Sequence, residues 1–293
     1  MRTKPARKSL QAGRPPTAKQ ARHSMSRKAS RTLINKHHQL EKRQQQAKAE
    51  GDSRTEAALA KEIASLGGLK RYQQASLQGQ SCDRGGDTSK VLLEWLSLAN
   101  IKELNRKPRM LEVGALSTRN ACSVSGLFEM VHIDLNSQEH GILEQDFMQR
   151  PLPELACDKF DIISLSLVLN FVPDAQSRGQ MLLRTLSFLS QQYCLEDEED
   201  RTSSLNFPSL FLVLPRSCVD NSRYLTDSRL KSLMEALGYS LQNDRKTSKL
   251  TYSLWVRTAA TDVTKLHFPK VEIHPGRSRN NFAITLTNMA QTP

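Results

Sequence analysis

No apolar run in this chain approaches the roughly 18 residues that a bilayer-crossing helix needs, so the sequence predicts no membrane span. Its first residues, MRTKPARKSL, lack the apolar centre of a secretory signal. Cysteine is sparse: Cys82, Cys122, Cys157, Cys194 and Cys218 stand apart, with no CxxC pair. That odd, scattered set argues against a disulfide framework and against a zinc site, and it suits a reducing intracellular setting. Neither HExxH nor a phosphate-binding GxxxxGK[S/T] loop occurs. Aromatic side chains are missing from the first fifty residues, which removes the usual material of a core there.

Charge, by contrast, is abundant and uneven. Residues 1–50 hold 14 Lys or Arg against Glu41 and Glu50, a balance of 14 − 2 = +12. The remainder holds 28 basic and 28 acidic side chains, so the formal charge of +12 sits wholly in that arm. Rich in Arg, Lys, Gln, Ser and Ala, residues 1–50 are expected to be a disordered basic arm that does not fold alone. Such an arm suits neutralisation of nucleic-acid phosphate, docking of a nuclear import receptor, or both. A solubility tail is the plainer alternative, but a balanced domain hardly needs one. A mitochondrial presequence fits less well, because NKHHQLEKRQQQAKAE stays polar far beyond an amphipathic targeting helix.

Residues 51–66 predict a helix stopped by Gly67-Gly68, followed by a polar, glycine-containing stretch. SKVLLEWLSLAN predicts a second helix, with Asp87 or Thr88 as its cap. From residue 109, apolar runs alternate with helical patterns: RMLEVG, EMVHIDLN, GILEQDFM and KFDIISLSLVLN, then a helix from Pro173, the strand SLFLVLP and the helix DSRLKSLMEALGY. YSLQNDRKTSKLTYSLWVR closes the series as two strands joined by a polar turn. This alternation predicts an α/β, Rossmann-like fold: a doubly wound, mostly parallel sheet with a closing antiparallel hairpin. Its ligand belongs at the carboxyl ends of the strands. The expected divisions are the arm (1–50), N-terminal helices with a glycine-containing loop (51–108), the cofactor domain (109–260) and a C-terminal tail (261–293). Within the tail, NFAITL reads as a further strand without an assigned place.

Gly114 ends the first strand, and Asp134 ends the second 134 − 114 = 20 residues later. That is the spacing at which such folds set a carboxylate on a ribose diol. Asp146 ends the third, where a carboxylate accepts a hydrogen bond from an adenine amino group, with Phe147 or Met148 against the ring. Singly, each has a plainer role, Asp146 as a helix cap and Phe147 as core. Two successive carboxylate tips behind a glycine turn favour a ligand. The turn LEVGALSTRN lacks the second and third glycines that cradle a pyrophosphate. This argues against NAD and is compatible with S-adenosylmethionine, which has an adenine and a ribose diol but no pyrophosphate.

At the fourth strand, Asn170 offers an amide to a base edge and Phe171 a ring to stack on it; a cap and a core residue are equally good readings. LPRSCVDNSRYL, after the next strand, brings Arg216, Asn221, Arg223 and Tyr224, types suited to RNA phosphate and base stacking, or to a polar surface loop. His132 reads as a core histidine.

Taken together, YQQASLQGQ, GGDTSK, LEVGAL, IDLNS, QDFM, SLSLVLNFVP, RGQML and LPRSCVDNSRY resemble the fungal 25S rRNA adenine-N(1) methyltransferase family over most of residues 70–260. The resemblance implies a class I methyltransferase fold, S-adenosylmethionine as cofactor, and Gly114 and Asp134 as cofactor-binding positions. It also implies large-subunit rRNA within a pre-60S particle as partner, and a nuclear, nucleolar location. An animal relative in the same group resembles an S-adenosylmethionine sensor that regulates partner proteins. The shared pocket does not separate the two, whereas the basic arm favours the RNA enzyme.

Overall fold

A computed structural model describes residues 27–68, 86–137, 139–190, 206–261 and 266–286. The first 26 residues, YQQASLQGQ and the acidic stretch EDEED lie outside the described residues.

Two N-terminal helices, α1 (Arg27–Ala49) and α2 (Ser53–Ser65), form a hairpin. Asp52 caps α2 by accepting the Thr55 amide at 3.0 Å. The expectation of a wholly disordered arm is corrected here, because α1 occupies its second half. Leu40 and Ala47 of α1 are buried against Leu59 of α2, and Lys36 pairs with Glu62 at 3.2 Å. The arm's helix is stabilised by a partner beyond residue 50, and composition of the arm alone does not reveal that partner.

The second predicted helix is shorter than expected. It divides into α3 (Ser89–Trp95) and α4 (Leu98–Lys102), with Leu96 extended between them. The sheet then builds from β1 (Arg109–Val113), α5 (Ala121–Ser125), β2 (Glu129–Asp134), β3 (Ile142–Glu144) and β4 (Ile162–Ser166). It continues through α6 (Ala175–Phe188), β5 (Ser209–Pro215), α7 (Ser217–Asp220), α8 (Asp227–Ala236), β6 (Tyr239–Lys246) and β7 (Leu250–Arg257). The order across the sheet is β3-β2-β1-β4-β5-β7-β6. β1 to β5 run parallel, and β7 enters antiparallel between β5 and β6.

β5 shows why the fold needs two covered faces. Leu210, Leu212 and Leu214 enter the core beneath α6 and α8, while Phe211 and Val213 enter the core beneath α3 and α4. A strand buried on both faces therefore reads as an unbroken apolar run. At the opposite end of the sheet, buried Asp161 accepts two hydrogen bonds from Arg106, at 2.7 and 2.9 Å, and one from the Arg109 amide at 2.8 Å. That charged tie joins the starts of β1 and β4 away from the ligand edge.

Residues 266–286 of the expected tail pack on the domain, so the division at residue 260 does not hold for them. Leu266, Phe282, Ile284 and Leu286 are buried in the core beneath α6 and α8. Instead of a strand in the sheet, NFAITL lies along α6 and makes only a single bridge, between Leu286 and Phe268. The Thr285 amide donates to Ala175 O at 3.0 Å, and a Cβ on Gly179 would lie 1.9 Å from Thr285 O.

Candidate active site

The strand register brings three predicted elements to one edge. Val113 pairs with Ile133, so Gly114 comes level with Asp134. Glu112 pairs with Ser164, so Gly114 also comes level with Ser166, the last residue of β4. Asp134 in turn pairs with Glu144, two residues before Asp146. Gly114, Asp134 and Asp146 thus leave three adjacent strand tips, as the sequence reading expects.

Gly114 has φ +74, a left-handed conformation that side chains disfavour. Its amide and that of Ala115 both donate to Ile133 O, at 2.8 and 3.0 Å, folding the turn back on β2. The space of the missing Cβ faces Val168 of the loop after β4. Gly114 is therefore required by the shape of the turn and by a neighbouring loop.

Behind the turn, Glu112 accepts from Asn120 Nδ2 at 2.7 Å and meets His132 Nδ1 at 2.9 Å. Asn120 caps α5 through the Ser123 amide, and Ser123 Oγ reaches His132 Nε2 at 3.3 Å. His132 is a buried, hydrogen-bonded core residue, as expected. This network fixes both ends of the loop that replaces a glycine-rich one.

Asp134 and Asp146 are half-buried and hold their own turns. Asp134 Oδ1 accepts the Asn136 amide at 2.9 Å, and Asp146 Oδ1 accepts the Met148 amide at 2.8 Å. Phe147 does not join them. It is buried, packed on Phe188 with ring centroids 5.3 Å apart and Arg184 over its face. Its placement against a ligand ring is corrected, since it is 2% exposed within the core; Leu135, directly after Asp134, is 68% exposed. The run IDLNS contained that signal, an apolar residue just past the strand end.

β4 stops at Ser166, earlier than the apolar run suggests, because Leu167 adopts φ +59. The turn that follows carries Asn170 and Phe171, with the Phe171 amide donating to Val168 O at 2.9 Å. Phe171 is 41% exposed and is not a core residue. Asn170 does not cap α6; Asp174 does, through the Ser177 amide at 2.8 Å. Asn170 Oδ1 is buried and finds no hydrogen-bond partner among the described residues, an arrangement that is costly without a ligand.

Sequence reasoning missed the role of Asp87 and Thr88 at this edge. Thr88 Oγ1 lies 2.8 Å from Ser166 Oγ. Asp87 binds Ser89 with one oxygen and accepts the Ala121 amide at 2.8 Å with the other. The end of GGDTSK therefore crosses the strand tips in addition to starting a helix.

The segment after β5 is held largely by the tail. Arg216 pairs with Asp220 and donates to Thr247 O at 3.3 Å. Asn221 Nδ2 donates to Ser278 O at 3.4 Å. Arg223 donates to Gly276 O at 2.8 Å and to Asn281 Oδ1 at 2.6 Å. Lys270 stands 4.4 Å from the centre of the Tyr224 ring. Each of the four side chains therefore already has a structural contact within the protein. Arg216 lies against the β6–β7 turn, its amide donating to Lys249 O at 2.8 Å, whereas Asn221, Arg223 and Tyr224 are held against the tail.

This structure's residues fit an adenosyl ligand: a positive-φ turn without a side chain, carboxylates on the next two tips, an exposed leucine directly after the first of them and an orphaned amide oxygen after the fourth strand. The sheet order and this edge define the fold of the Rossmann-like class I, S-adenosylmethionine-dependent methyltransferases. Residues 57–284 match the model of the family described as 25S rRNA (adenine(2142)-N(1))-methyltransferase, Bmt2, and the chain belongs to that family.

The chain is 39% identical over 228 residues to the 25S rRNA (adenine(2142)-N(1))-methyltransferase of Saccharomyces cerevisiae, across 77% of this chain and 62% of that protein. It is 34% identical over 221 residues to the 25S rRNA adenine-N(1) methyltransferase of Schizosaccharomyces pombe, across 74% of this chain and 76% of that protein. The chain thus spans less than two thirds of the length of the S. cerevisiae relative. Among solved structures, it is similar to magnesium protoporphyrin IX methyltransferase (ChlM) from Synechocystis PCC 6803, with TM-score 0.42 at 11% identity over 64% of this chain and 84% of that one.

Proposed function

We propose that this chain methylates N1 of an adenine in large-subunit (25S) rRNA during ribosome biogenesis, using S-adenosylmethionine. The observation that carries this reading is family membership across residues 57–284, a span that includes every strand tip described above. When bound, S-adenosylmethionine supplies a methyl group made electrophilic by its sulfonium sulfur. Asp134 would accept hydrogen bonds from the ribose diol, exposed Leu135 would cover the adenine ring and Asp146 would accept from its amino group. Adenine N1 has a free lone pair at neutral pH, so the site needs no strong general base. Orientation of that lone pair toward the methyl group supplies most of the rate.

N1 lies on the pairing edge, so the target base must be unpaired or flipped from its helix. Asn170 Oδ1, buried without a partner, accepts a hydrogen bond from the target adenine's amino group, and half-exposed Phe171 stacks on the ring. The basic arm neutralises phosphate of the pre-60S particle or engages an import receptor, which gives the protein a nuclear, nucleolar location. Mapping by reverse transcription tests the reading, because a methyl on N1 blocks pairing and stops the polymerase. Cells with the protein should show one stop in 25S rRNA that vanishes on its deletion and returns with the intact gene. An identical stop pattern in all three would sink the proposal.

A further inference from the structure

We infer that the C-terminal tail, residues 266–286, forms with the loop after β5 a surface that grips RNA backbone phosphate beside the target base. The inference rests on the RNA reading above. Its first support is how firmly the tail is attached. Asn280 donates its amide to Asn221 O at 2.9 Å and its side chain to Ser217 O at 2.6 Å, and the Arg223 amide donates to Asn280 O at 3.0 Å. Further along, Ile273 and His274 donate to Arg223 O. Tail and loop are thereby one continuous structure rather than a fold with a loose end.

The second support is the buried guanidinium of Arg178, which explains the RG of RGQML. Arg178 donates to Ala283 O at 2.8 Å and to Pro173 O at 3.2 Å, with Phe282 stacked 4.4 Å from it. One side chain therefore joins the tail to the loop that carries Asn170 and Phe171. Gly179, the next residue, admits the tail backbone at a distance no side chain would permit. The surface is set in advance against the β4 tip, and binding it costs less ordering than binding a mobile tail.

Charge identifies the partner. Among residues 266–286, Lys270, Arg277 and Arg279 face a single acid, Glu272. Nearby Asp220 and Asp227 are engaged by Arg216 and Lys246. Lys270 and Arg277 are exposed, and neither they nor Arg223 and Arg279 form an ion pair among the described residues. Solvated cations on a surface whose backbone is ordered in advance match a phosphate backbone.

The test compares the intact chain with Lys270→Gln/Arg277→Gln for binding to protein-free large-subunit rRNA between about 50 and about 200 mM salt. Two lost phosphate contacts should lower the slope of log affinity against log salt by roughly 1.4 to 1.8, and weaken binding on the order of tenfold. Lys270→Arg/Arg277→Lys should restore both, and S-adenosylmethionine affinity by calorimetry should be the same in all three proteins. An unchanged slope in the glutamine variant overturns the inference even if the intact chain methylates rRNA. Absence of methyl transfer by the intact chain, with the slope difference present, would overturn the proposed function and leave the surface standing. An intact chain that binds no rRNA would overturn the tail surface as well.

Discussion

Gly114 and Val168 meet where β1 and β4 end: a Cβ on Gly114 would lie 2.7 Å from Val168 Cγ2. The contact couples the turn beneath the proposed ribose site to the loop that carries Asn170. Gly114→Ala combines a left-handed alanine with a clash, and should cost roughly 2 to 4 kcal/mol of stability by denaturant titration. Val168→Ala removes only the clash. The double variant should therefore be more stable than the sum of the single effects, by about 1 kcal/mol. Strict additivity would mean that the two residues do not share a constraint.

Asp134→Ala should abolish most cofactor affinity, and the lost bond to the Asn136 amide should cost on the order of 1 kcal/mol of stability. Loss of two charge-assisted hydrogen bonds to a ribose diol weakens binding by about 100-fold or more. Asp134→Asn keeps one acceptor and should fall between. Calorimetric titration with S-adenosylmethionine decides the matter, and an alanine variant that binds as tightly as the parent would remove Asp134 from the cofactor site.

The placement of Gly114 and Asp134 at neighbouring strand tips is legible because the signal is local: an apolar run, a glycine, and a carboxylate at the next run's end. Parallel pairing then aligns the tips without further information. Phe147 shows the limit of that signal: a residue after a strand-end carboxylate can face either way, and here it faces Phe188. The length of α1 and the fixing of Arg223 were not legible. Each depends on a partner distant in sequence, Leu59 for Leu40 and Gly276 for Arg223. Leu167 looked like the continuation of a strand, since nothing in its side chain announces φ +59.

Gly179→Ala should dislodge the tail. Its new Cβ would sit 1.9 Å from Thr285 O, so either α6 or the tail must move, at roughly 2 to 3 kcal/mol. Hydrogen exchange should accelerate in a peptide covering residues 279–286 and in the loop bearing Arg223. Acceleration restricted to α6 would show that the tail is not held there.

The buried cysteines give a pH signature. Burial pushes the Cys218 thiol up to about 12, partly opposed by Arg178. Below the ordinary thiol value of 9.0, the group is neutral in folded and unfolded chains alike. Above it, only the unfolded chain ionises, so stability should fall as pH rises from 9.0 toward 12. Cys218→Ala should flatten that decline, measured as melting temperature against pH. At pH near 8, iodoacetamide should label exposed Cys157 before Cys122 or Cys218, as read by peptide mass.

The most direct test of the whole account is transfer itself. The intact chain, methyl-labelled S-adenosylmethionine and protein-free 25S rRNA from cells lacking the protein are incubated, and the RNA is digested to nucleosides. The account predicts label in 1-methyladenosine, lost with Asp134→Ala. Tight binding of S-adenosylmethionine with no label in RNA would contradict it and make the chain a cofactor-binding protein of another kind.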